Sequence, residues 1–224
     1  MSDNPLVQFK QVEKSYLDNE PIFSNLDLSI DEKEFVFLTG VSGSGKSTFF
    51  KLIMGLEKLN KGEVTYQKTI VNKLSPDKMP FHRREIGMVF QDQALLKNKT
   101  VLENILLPLF INGASYKQIN LRAKVISKQF DIEKLLKQKV SSLSGGEQQL
   151  TAIARASIHK PKIILADEPT ANLDQKMAAR IIEILDDLNQ RGTTIIIATH
   201  DINLIKSYQK RTLFIKNRNI VDVV

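Results

Sequence analysis

Short apolar runs alternate with stretches of helical periodicity along most of the chain. Residues 35–39, 86–90, 163–166 and 194–199 are almost continuously apolar, the pattern of strands buried on both faces of a parallel sheet. Near the start, residues 7–9 and 26–30 alternate apolar and polar side chains, as half-exposed antiparallel strands do. Toward the end, residues 212–215 and 220–223 flank a polar turn and read as a hairpin. From 91 to 160 the period becomes helical. Thr100 and Glu103 make a capping box ahead of Val101, Leu102, Ile105, Leu106 and Leu109 at helix spacing, with Pro108 expected to kink that helix. Ser115 and Gln118 make a second box just after an Asn112-Gly113 turn. The alternation predicts an α/β protein with a mostly parallel sheet. The helical stretch predicts a lobe inserted into that core, not a domain following it.

Composition narrows the function. The 224 residues suffice for one domain, or two small lobes sharing a core. No Cys is present, which removes disulfides, thiol nucleophiles and Cys-ligated zinc and fits a reducing compartment. The 32 Lys+Arg against 25 Asp+Glu give a net charge of +7, but these residues are dispersed, with only Arg83-Arg84 and Lys97/Lys99 as small clusters. A solvated basic surface explains them better than a nucleic-acid tract. The first ten residues lack an apolar leader core, and the apolar run at 105–111 is broken by Pro108. Both fall far short of the ~20 residues of a membrane span. The expectation is a cytosolic protein whose membrane role, if any, runs through a partner.

The segment Gly40-Val41-Ser42-Gly43-Ser44-Gly45-Lys46-Ser47 fits the phosphate-binding pattern G-x-x-x-x-G-K-[ST], and Thr48 continues into a helix stopped by Gly55. Glycines let successive backbone N–H groups converge on phosphate oxygens, and the helix N-terminus adds positive potential. Lys46 is expected to reach the β- and γ-phosphates, and the Ser47 hydroxyl to ligate Mg²⁺. Residues 163–166 form a buried strand ending in Asp167-Glu168, at the strand end where α/β sheets bind ligands. Asp167 is expected to hold Mg²⁺ through water, and Glu168 to take a proton from the attacking water. A third motif, Leu143-Ser144-Gly145-Gly146-Glu147-Gln148-Gln149, is locally a capping box. Capping explains Ser144 and Glu147. It does not explain two glycines in a first turn, where each costs up to ~1 kcal/mol relative to Ala.

Together these residues resemble the ABC (ATP-binding cassette) ATPases over nearly the whole chain, as a single domain spanning 6–224. The resemblance implies a P-loop NTPase fold with a RecA-like, mixed but largely parallel core and an antiparallel β subdomain (6–91 with 160–224), plus an inserted helical subdomain (92–159). It implies ATP and Mg²⁺ as ligands, and a head-to-tail homodimer in which the Ser144-Gly145-Gly146-Glu147 segment of one subunit caps the γ-phosphate held by the other. It also implies that Gln91 contacts Mg²⁺ and the γ-phosphate, that His200 contacts the γ-phosphate, and that Asp174 of Asn172-Leu173-Asp174 lies near the shared site. By the same resemblance Tyr16 stacks on adenine. Plain packing for Tyr16 and plain helix capping for Asp174 stay open. The family usually has Arg directly after Glu-Gln-Gln, whereas this chain has Leu150 then Thr151, so altered packing or a lost salt bridge is expected there, without loss of hydrolysis.

Within the family, residues 80–92, 112–115 and 199–205 look closest to the branch serving bacterial cell division. That implies a peripheral protein on the cytoplasmic face of the inner membrane, driving an integral partner of the FtsX type in the division machinery and regulating cell-wall hydrolysis. Lipoprotein-release and macrolide-efflux cassettes share most of these stretches and stay open as an alternative. Soluble ABC ATPases acting on nucleic acid or ribosomes usually carry a coiled-coil insertion or two cassettes. This chain has neither, so no nucleic-acid partner is expected.

Overall fold

The computed structural model describes residues 5–16 and 20–223. Along it run β1 (Val7–Lys14), β2 (Phe23–Ile30), β3 (Phe35–Thr39), α1 (Lys46–Ile53), β4 (Lys61–Tyr66), β5 (Thr69–Ile70), α2 (Met79–Arg84) and β6 (Ile86–Val89). After these come α3 (Val101–Ile111), α4 (Tyr116–Gln129), α5 (Gly145–Ser157), β7 (Ile163–Asp167), α6 (Gln175–Gln190), β8 (Thr194–Ala198), α7 (Ile202–Tyr208), β9 (Arg211–Lys216) and β10 (Asn219–Val223).

The larger sheet has the order β10-β9-β3-β8-β7-β6. All of its pairings are parallel except the β9–β10 hairpin. The apolar strands serve two cores at once. In β3, Phe35 and Phe37 join one cluster while Val36 and Leu38 join the other, and Ile195 and Ile197 divide from Ile196 and Ala198 in the same way along β8. A strand covered on both sides has no polar face, which is why its sequence does not alternate.

The smaller sheet, β2-β1-β4-β5, is antiparallel. Its first two strands extend beyond the expected 7–9 and 26–30. Irregularities in the β1–β2 register, together with left-handed backbone at Gln11 (φ 46°) and Asn25 (φ 50°), break the alternation that would have revealed their full length. α1 lies between the sheets, where Phe49 stacks on Phe9 of β1 at 4.6 Å between ring centroids. At the other end of the sheet, β6 stops at Val89, one residue short of the expected strand, and Gln93 and Ala94 turn the chain with φ of 56° and 46°.

The helices α3, α4 and α5 all fall between β6 and β7, which are neighbours in the sheet. Each begins with the reciprocal hydrogen bonds of a capping box, at Thr100, Ser115 and Ser144. α3 runs on through Pro108. α5 lies so close to the sheet edge that a Cβ on Gly87 of β6 would come within 2.5 Å of the Ala156 carbonyl oxygen. Asn104, fully buried in α3, accepts from the Leu96 N–H and donates to the Leu96 and Thr100 carbonyls, pinning the connection from β6. The Leu150 departure resolves as packing, since Leu150 is 1% exposed within the same core as Ile153 and Ala154.

Candidate functional site

The C-terminal ends of the parallel strands converge on one edge of the sheet. β3 delivers residues 40–47, β7 delivers Asp167 and Glu168, β8 leads to His200, and β6 leads to Gln91. In a doubly wound sheet this edge is where backbone groups and helix N-termini are free to meet a ligand. A cavity of about 710 Å³ opens there, lined by Tyr16, Gly40, Val41, Ser42, Gly43, Gly45, Lys46, Ser47, Thr48, Gln91, Asp167, Glu168 and His200. The structure therefore brings together residues from five separate stretches that the sequence singles out.

The loop from 40 to 47 has the backbone its pattern demands. Gly45 sits at φ 111°, and a Cβ there would come 2.5 Å from Ile22 Cγ2. Lys46 opens α1 and donates to the loop's own carbonyls, at 2.9 Å to Gly40 O and 3.4 Å to Val41 O, so its ammonium is folded over the cradle. The Ser44 hydroxyl is buried without a protein partner. Ser47 Oγ donates to Asp167 Oδ2 at 2.9 Å. A hydroxyl and a carboxylate meeting at the helix N-terminus are the hard oxygen donors that suit Mg²⁺, which completes its shell with water and phosphate oxygens. The residues present fit that ion. Burial pushes the Asp167 carboxyl above its ordinary pKa, and the neighbouring Glu168 charge adds to this, while Ser47 opposes it. A cation delivered with phosphate would favour the charged form.

Glu168 follows β7 with left-handed backbone (φ 48°), which turns its side chain out of the strand's alternation, and its N–H is anchored on the Ala198 carbonyl. Its Oε1 accepts from His200 Nδ1 at 2.7 Å. The Glu168 side chain is 11% exposed and the His200 side chain 75%, so the carboxylate is sheltered while the imidazole stands at the open rim. Tyr16 Oη lies 3.4 Å from Thr48 Oγ1, which holds the ring beside the first turn of α1.

The remaining predicted residues do not line this cavity. Ser144 caps α5 by accepting from the Glu147 N–H, and Glu147 Oε2 accepts in return from Ser144 N (2.8 Å) and Oγ (2.7 Å). Ser144 and Gly145 are exposed. Asp174 caps α6 by accepting from Met177 N at 2.9 Å, so the plain capping reading holds for it geometrically. The two signature glycines differ. A Cβ on Gly146 would strike Met177 at 2.7 Å (Cγ), whereas a Cβ on Gly145 would meet nothing within 4 Å. This chain's own packing requires the one and not the other.

Sequence reasoning missed Arg155. From α5 it donates Nη1 to Ala94 O and Nη2 to Gln93 O, each at 2.7 Å, fastening the helix that starts at the signature to the turn that follows Gln91. The available signal was a lone cation on the last turn of a helix whose neighbours are all apolar or small. Asn104 was the other omission, a polar residue inside an apolar helical stripe.

Comparison with known proteins adds an independent line. The sequence profile described as ABC transporter matches residues 23–171. The cell division ATP-binding protein FtsE of Haemophilus influenzae is 41% identical over 212 residues, covering 94% of this chain and 97% of that protein. FtsE of Escherichia coli K12 is 40% identical over 210 residues, covering 93% and 95%. Among solved structures, the dimeric post-hydrolysis state of the ATP-binding cassette MJ0796 bound to ADP and Pi superimposes with a TM-score of 0.86 and 38% identity, covering 97% of both chains. With the fold, the phosphate cradle and the ordered motifs agreeing with these matches, the chain belongs to the ABC transporter family as an ATP-binding cassette ATPase that works with Mg²⁺.

Proposed function

We propose that this cassette hydrolyses ATP only as a head-to-tail homodimer, with each nucleotide clamped between the phosphate loop of one subunit and residues 144–147 of the other. The observation that carries this reading is Gly145. It stands exposed in the first turn of α5, outside the cavity, with open space where its side chain would be. Glycine inside a helix costs up to ~1 kcal/mol, and among the described residues nothing crowds this position so as to require it. A close approach by another molecule does, because bare N–H groups at a helix N-terminus attract phosphate.

In this reading Lys46 and the loop N–H groups bind the β- and γ-phosphates, with Gly40 to Thr48 as the cradle and Tyr16 under the base. Ser47, Asp167 and Gln91 hold Mg²⁺, which when bound neutralises charge on the phosphate oxygens. Glu168 accepts a proton from the attacking water, and His200, hydrogen-bonded to it, orients that carboxylate and contacts the γ-phosphate. Asp174 faces the partner subunit. Loss of the γ-phosphate removes what the two subunits share and the dimer loosens.

The subunits are expected to complement each other. Equal mixing of Lys46→Ala and Ser144→Arg variants, each inactive alone, should restore about a quarter of wild-type turnover, since half the dimers become mixed and each mixed dimer has one intact site. No recovery under conditions of proven subunit exchange, or full activity from a strict monomer, would sink the proposal.

The motion is exported through residues 92–159, acting as a lever. Among the described residues no helix is long and apolar enough to cross a membrane. A cavity of about 300 Å³ between Phe90, Pro108 and Ile111, bordered by Arg84 and His159, offers an apolar seat at the base of the lever. The FtsE names of the relatives support a role in cell division, with a separate inner-membrane protein of the FtsX type seated on this groove from the cytoplasmic side and passing the stroke on to cell-wall hydrolysis.

A further inference from the structure

Lys14, on β1 and two residues before Tyr16, is only 5% exposed, the one buried lysine among the described residues. Its Nζ donates to Glu57 Oε2 at 3.1 Å and to the Lys58 carbonyl at 3.0 Å. The same ammonium sits over the Tyr16 ring, 4.2 Å from the centroid. Lys14 is the main reason the Glu57 carboxyl lies below its ordinary pKa. The cation is therefore fixed on three sides: a carboxylate, a carbonyl and an aromatic face. A surface ion pair joining β1 to the segment after α1 would need only the first two.

An ammonium on one face of a phenol ring draws on its π density and holds the ring plane. The opposite face becomes less electron-rich, which lowers the repulsion an electron-rich purine meets on stacking. We propose that Lys14 is a positioning residue for the nucleobase: tied down by Glu57 and Lys58, it backs the Tyr16 ring so that the other face receives a purine. This rests on reading Tyr16 as the base platform. It adds a residue that touches no nucleotide and acts only through that ring.

The test separates the base from the phosphates by measuring affinity for ATP and for inorganic tripolyphosphate on the full chain. Lys14→Met is expected to weaken ATP binding and raise KM about 3- to 10-fold, from the range of cation–π strengths. The same variant should leave kcat at saturation and tripolyphosphate affinity unchanged. Lys14→Arg should recover most of the loss. Wild-type ATP affinity in Lys14→Met, or an equal loss toward ATP and tripolyphosphate, would overturn the proposal, the second outcome marking Lys14 as a structural cation. Tyr16→Ala distinguishes the two layers. If it binds ATP normally, the platform reading and this proposal fall together. If it binds ATP weakly while Lys14→Met does not, only Lys14 loses its role. Should Lys14→Met not fold, Glu57→Gln loosens the ammonium without removing it, and is expected to weaken ATP about 2-fold with tripolyphosphate unaffected; unchanged ATP affinity there is equally fatal.

Discussion

Glu168 shows how much chemistry one backbone angle can set. Had the chain continued as a strand, residues 167 and 168 would alternate and one carboxylate would face away from the cavity. The left-handed turn at Glu168 brings both to the same opening, with Asp167 on Ser47 and Glu168 on His200. Their surroundings differ accordingly, because burial raises the Asp167 pKa while a hydroxyl and an arriving cation favour its charge. Glu168→Gln preserves shape and a hydrogen-bond acceptor for His200 but removes the carboxylate proposed above as the proton acceptor. Turnover should fall by roughly 10²- to 10⁴-fold, the range of general-base contributions, with ATP binding retained and the dimer held closed. Single-turnover hydrolysis beside equilibrium nucleotide binding measures both, and substantial steady turnover would remove Glu168 as the base.

At the scale of elements, the first turn of α5 and α6 are fitted to each other at Gly146 and Met177. Alanine ordinarily improves a helix by up to ~1 kcal/mol over glycine. Here the added methyl meets Met177 Cγ at 2.7 Å, close to its backbone, so the terminal methyl cannot simply swing aside. We expect Gly146→Ala to destabilise by about 1–2 kcal/mol through overpacking. The penalty should vanish in a Met177→Ala background, read as a coupling of at least ~1 kcal/mol in a double-mutant denaturation cycle.

That contact explains why the sequence could be read only in part. The doubly covered strands, the three capping boxes and the phosphate loop were legible because each depends on short-range pattern or on one residue's backbone freedom. Their meeting at one sheet edge was legible as well, since α/β topology dictates it. Arg155, Asn104 and Gly87 were not, because each answers to a partner outside its own helix or strand: the carbonyls of Gln93 and Ala94, the Leu96 backbone, and the Ala156 carbonyl. The bulged ends of β1 and β2 were missed for a different reason, since a bulge shifts the period used to find a strand.

For the whole molecule, the geometry divides labour between an edge that binds nucleotide and a helical insertion suspended from two adjacent strands. Ile111, 51% exposed at the end of α3 and lining the groove with Phe90, is not among the residues that line the phosphate cavity. Ile111→Asp should leave ATP turnover of the purified protein within about 2-fold, because a surface change away from the cavity is close to neutral. It should abolish co-isolation with the membrane fraction. Retained membrane association would remove the groove as the seat.

Arg155 ties this arrangement into a single device. One guanidinium grips the turn that leaves Gln91 and belongs to the helix whose other end carries the signature. The connection runs from one end to the other without crossing the sheet. In the proposed dimer, that one bolt would join the nucleotide edge of a protomer to the helix end it lends its mate, so neither could move as though the other were absent.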